Sequence, residues 1–159
     1  MVRQLFSQPI SEISTTRKEA LGAVVEYRGK WYKYVEIKNT SATVAGAAGD
    51  PVAYFAATGY DDNRVVIDLS DADTQPIGAG ILQGTVTGTS GTSYYGWIQI
   101  RGVAMVLTAV TSGVVGSGCM MATASNDKTM LVATGVISPM ATLLTATAAN
   151  NKILCNFPM

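Results

Sequence analysis

The chain has 159 residues, 48% hydrophobic and 14% charged, enough for one domain burying roughly 68–70% of its unfolded surface without disulfides or a structural metal. It contains no histidine, which excludes Ser-His-Asp and Cys-His relays, His-ligated zinc and the usual near-neutral acid–base group. Lys plus Arg and Asp plus Glu both number 11, so no net charge draws the chain to nucleic acid or to an anionic membrane.

Residues 1–20 are punctuated by Gln4, Ser7, Gln8, Pro9, Ser11, Ser14, Thr15 and Thr16 without a sustained period of 2 or 3.6. They read as a flexible, extended N-terminal arm, and residues 21–159 as a single β domain. No unbroken apolar run of the signal-peptide kind occurs in the first 13 residues, so export by that route is not expected.

Residues 23–28 and 31–37, rich in Val, Tyr and Trp, predict a β-hairpin. The turn is expected at Gly29-Lys30 in the II′ form, with Arg28-Gly29 as the alternative register. A glycine-rich turn over residues 45–50 leads into a strand at 51–56, with Pro51 at its start, where a missing N–H does least harm. Further strands are predicted at 64–69, 77–86, 94–106 (one or two), 119–124, 130–133 and 153–157, each bounded by Gly, Asp or Ser. Residues 139–149 hold Ala and Leu but also several Thr, and are assigned to strand over helix. The apolar stretch 103–115 is interrupted by Thr108, Thr111, Ser112 and Gly113 and is too short to span a bilayer, so a soluble protein is expected. Many short strands without a long repeat predict an all-β fold: a small antiparallel β-sandwich or barrel with little helix.

Only four charged residues, Arg101, Asp127, Lys128 and Lys152, follow Thr74. A charge-poor half this large cannot all be interior in so small a domain, which points to a surface covered by another subunit.

The candidate chemical sites are weak. Asp61, Asp62, Asp68, Asp71 and Asp73 lack the alternation and terminal carboxylate of a calcium loop and read as turn residues. Gly78, Gly80 and Gly84 do not form a phosphate loop and read as close strand packing. Cys119 and Cys155 are far apart, form no CxxC and read as buried thiols. The interleaved Arg28, Lys30, Lys33 and Lys38 with Tyr27, Trp31, Tyr32 and Tyr34 are offset by Glu26 and Glu36, as in any half-exposed hairpin. Neither an enzyme nor a cofactor, metal, nucleic-acid or membrane partner is expected.

Gln75-Pro76-Ile77-Gly78-Ala79-Gly80 and Tyr95-Gly96-Trp97-Ile98-Gln99-Ile100-Arg101-Gly102, followed by turns at Ser112-Gly113 and Gly116-Ser117-Gly118, carry a family likeness. Here the sequence resembles the small decoration, or cement, proteins of tailed-bacteriophage heads, from about Gly22 to Gly135. The resemblance implies a β-rich homotrimer that binds the major capsid protein on the outside of the mature virion shell, where shell subunits meet. It implies assembly in the host cytoplasm and no catalysis. The arm, with Leu5, Phe6 and Ile10 as apolar anchors, is the expected partner-binding element. The alternative is a tail- or vertex-associated carbohydrate-binding module that uses Trp31, Trp97, Tyr94 and Tyr95 as stacking platforms.

Overall fold

The computed structural model describes residues 7–40, 43–55, 59–72, 76–107, 110–111, 113–122, 130–132, 140–146 and 150–159. Alternating aromatic and β-branched side chains form the first hairpin, β1 (Val24–Tyr27) against β2 (Lys30–Ile37), with Tyr27 opposite Lys30. That register places Arg28 and Gly29 in the turn. Both have positive φ, 52° and 74°, so the turn is of the I′ kind rather than the expected II′ turn at Gly29-Lys30. The I′ twist matches the twist of the flanking strands, and Gly29 accepts the left-handed conformation without a Cβ penalty.

Next come β3 (Pro51–Tyr54), a one-turn helix α1 (Gly59–Asp62), β4 (Arg64–Val66) and a 3-10 turn at Leu69–Asp71. They are followed by β5 (Gly78–Leu82) and the long β6 (Tyr94–Val106). These strands pair in the order β2–β4–β3–β5–β6, and β6 pairs back onto β2, which closes a five-stranded barrel. The β2–β4 pairing is parallel, because β4 returns into the gap between β2 and β3, so the barrel is not purely antiparallel as expected.

Past Arg101 the end of β6 leaves the barrel and continues the same sheet into an extension, a wing. Its strands are β7 (Val110–Thr111), β8 (Gly118–Met121), β9 (Met130–Val132), β10 (Ala141–Leu143) and β11 (Asn151–Asn156). They are ordered β6–β11–β10–β8–β9–β7. The chain is thus all-β, a closed barrel with a strand extension.

One core runs through both parts. Val35, Ile37, Val52, Val65, Ile67, Ile81, Ile98 and Ile100 fill the barrel, and Cys119, Leu143, Ile153 and Phe157 continue the same cluster under the wing. A smaller cluster of Ala53, Val66, Leu69 and Met121 joins β8 to the outside of the barrel. At about 25 cal/mol per Å² of apolar surface, this continuous burial is the main stabilising term.

Candidate interaction surface

Residues 103–107 read Val-Ala-Met-Val-Leu, and strand alternation sends them in opposite directions. Ala104 and Val106 enter the core, while Val103, Met105 and Leu107 point to solvent. On β11, Ile153 and Cys155 enter the core, and Lys152, Leu154 and Asn156 point outward.

The register aligns these outward residues into three rungs. Arg101 faces Asn156, whose N–H donates to the Met140 carbonyl at 2.8 Å. Val103 faces Leu154, which faces Thr142 on β10. Met105 faces Lys152, whose carbonyl accepts from the Leu144 N–H at 2.8 Å. At the centre Val103, Met105 and Leu154 are 43%, 46% and 45% exposed. They form a contiguous apolar surface rather than scattered exposed side chains.

A recess lies at each end of this face. The Arg101–Asn156 end opens into a cleft of about 410 Å³ walled by Ile77, Met140, Phe157 and Pro158. The Met105–Leu107 end opens into one of about 230 Å³ that also touches Lys30, Gly49 and Gln99. The Gln99 amide is held in place by donating to the carbonyls of Arg101 and Val103 at 3.1 and 3.0 Å. Among the described residues the charged side chains on the face are Arg101 and Lys152, at opposite ends; Lys30 lines the second recess but packs beside Gly102, toward the core side of the sheet, where its charge reaches the Cys155 thiol. An ion pair lies elsewhere, between Lys18 and Glu12. The Arg101 guanidinium instead sits over the Trp31 ring at 5.8 Å.

The expected arm takes a different course. From Ser7 onward it lies on the outer side of β2 and β6. Ser14 pairs with Tyr95, donating and accepting backbone hydrogen bonds at 3.0 and 2.7 Å. Gln8 is fully buried at its centre. The Gln8 amide donates to the carbonyls of Glu12 and Tyr95, its oxygen accepts from the Tyr34 hydroxyl at 2.7 Å, and its own carbonyl accepts from the Trp97 indole at 3.1 Å.

Ile10 is half-buried against Tyr32, Tyr34 and Trp97, so this expected anchor packs on its own domain; Leu5 and Phe6 lie outside the described residues. Gly84 and Gly96 make room for the segment: a Cβ on Gly84 would sit 2.5 Å from the Ser11 carbonyl, and one on Gly96 would strike Ile13. At the far end the Glu19 carboxylate accepts from the Ser7 hydroxyl and N–H at 2.5 and 2.8 Å, and these bonds hold it below the usual range.

The aromatic residues of the carbohydrate alternative do not converge on one open platform. Trp97 is buried beneath the N-terminal segment, Trp31 and Tyr94 pack toward the barrel core, and Tyr95 packs on the opposite side with Tyr34. In the hairpin Tyr32, Lys33 and Tyr34 are buried. Lys33 donates to the Tyr54 hydroxyl at 3.0 Å, and desolvation holds its ammonium below the usual lysine range.

Several acidic residues serve as turn caps. Asp68 accepts from the N–H and hydroxyl of Ser70, Asp71 from those of Thr40, and Asp50 from the Ala47 N–H. Among the described residues no group of three or more Cys, Asp or Glu is placed to hold a metal ion. Cys119 and Cys155 are both buried and unbridged, each opposite Ala141 on neighbouring strands.

Comparison with protein-family models and with curated proteins gives no match to this chain. Its role is therefore argued from the surface itself. Sequence reasoning missed that surface, because an unbroken apolar run such as 103–107 does not reveal which side is covered. The available signal was Leu154, an apolar residue between the polar Lys152 and Asn156 on the outward period of a strand.

Proposed function

We propose that the chain is a structural virion protein that decorates the outer surface of a tailed-phage capsid. It binds the major capsid protein where shell subunits meet, acts as a homotrimer and stabilises the shell without catalysis. The observation that carries this reading is the outward face of β6, β11 and β10, with exposed Val103, Met105 and Leu154 at its centre, a surface suited to docking on another protein. Support also comes from the absence of histidine and the charge-poor second half of the chain. The resemblance around residues 75–80 and 95–102 points the same way.

Stabilisation follows from binding only the assembled shell, since a ligand that prefers one state shifts the equilibrium toward it by its differential affinity. The test is thermal release of packaged DNA from capsids with and without the chain. Depleted capsids are expected to release DNA at a lower temperature, and added purified chain to restore the original value. Identical release temperatures in both preparations overturn the reading.

A further inference from the structure

Resting on that reading, we infer that the wing face docks on an apolar patch of the shell protein edged by carboxylates, which pair with Arg101 and Lys152 at its two ends. These cations stand at opposite ends of an apolar centre, and among the described residues no Asp or Glu lies on the face or in its recesses. An apolar partner without acidic groups would bury them unpaired, at a cost that opposes binding. A partner with a carboxylate opposite each one gains charge-assisted hydrogen bonds and is aligned along the line that joins the two cations.

A second copy placed face to face does not meet this requirement, because it brings the same cations against each other. Three strands about 4.8 Å apart and five residues long cover about 14 by 17 Å, far below the roughly 800 Å² per partner of a stable interface between two proteins. The face is therefore one contact on a surface that extends beyond it. The two recesses, about 410 and 230 Å³, are large enough for side chains projecting from that surface.

The experiment uses capsids stripped of the chain, re-bound with purified full-length protein and read by co-sedimentation, beside sedimentation velocity of the protein alone. The variants are L154E, which places a charge at the apolar centre, and the charge-reversed R101E/K152E. Leu154, Arg101 and Lys152 are all exposed, and circular dichroism checks that the fold is kept.

The expected result is at least a tenfold loss of shell binding for both variants, with the solution oligomer unchanged. Binding of the parent should weaken as salt rises. If both variants bind as the parent does, the face inference is overturned while decoration stands. If the parent fails to bind, the decoration reading falls and the inference with it. If L154E instead dissolves a solution oligomer of the parent, a second copy occupies the face and the inference is wrong.

Discussion

Val103 and Leu154 stand directly opposite each other on β6 and β11, and both are open to solvent. Cross-strand apolar pairs of this kind normally contribute by packing under a second layer. This one has its second layer on the wrong side for cover: the core of the wing lies beneath Ala104, Val106, Ile153 and Cys155. An uncovered apolar pair flanked by cations is the basis of the proposed docking.

Gln8 should be the main support of the N-terminal segment. Gln8→Ala removes the acceptor for the Tyr34 hydroxyl and the donor to the Glu12 and Tyr95 carbonyls. Leaving buried polar groups without partners is expected to cost about 2 kcal/mol in urea unfolding. A change within a few tenths of a kcal/mol would show that the segment contributes little to the folded state.

Glu19 makes the end of that segment sensitive to acid. Its carboxyl is held below its ordinary value of 4.5 by the Ser7 hydroxyl and N–H. Its stabilising effect is therefore fully present above that pH and is lost as pH falls through the lowered folded value. The Ser7 amide resonance should move with this titration, and Glu19→Gln should remove the movement. A Ser7 amide that titrates equally in both proteins contradicts the contact.

The two thiols should be inert in the native state. Burial pushes the Cys155 thiol up to about 12 and raises that of Cys119 as well. At pH 8 a soluble maleimide or iodoacetamide is expected to label neither until denaturant is added. Rapid labelling of Cys155 in the native protein would show that the wing opens readily.

Arg28 occupies a position that suits Asn better. Its φ of 52° in the I′ turn is a left-handed conformation, which a long L-side chain adopts at a cost. Arg28→Asn is expected to stabilise the protein by about 0.5 kcal/mol, a gain reduced by losing the guanidinium from over the Tyr27 ring at 5.1 Å. A destabilised variant in thermal or urea unfolding would mean that the Tyr27 contact outweighs the backbone strain.

The parts of the fold readable from sequence are those with strong local pattern. The first hairpin, β3, β6 and β11 follow from aromatic and β-branched runs bounded by turn residues. The turn register was not readable, because Arg28-Gly29 and Gly29-Lys30 both contain the glycine that such turns require. The course of residues 7–20 left no periodic signal either. Gln8, Ser11 and Ser14 hold or approach the sheet through hydrogen bonds, backbone pairing and the space left by Gly84 and Gly96, none of which depends on a repeating apolar pattern. Barrel closure depends on the pairing of β2 with β6, some 60 residues apart in sequence, and propensity carries no information about such a partner.

The central claim is tested most directly by counting this chain in purified particles against the main shell protein, by quantitative mass spectrometry. Decoration of the shell predicts a near-stoichiometric ratio to the shell protein. A few copies per particle would place the chain at a tail or vertex, and its absence from particles would contradict the account altogether.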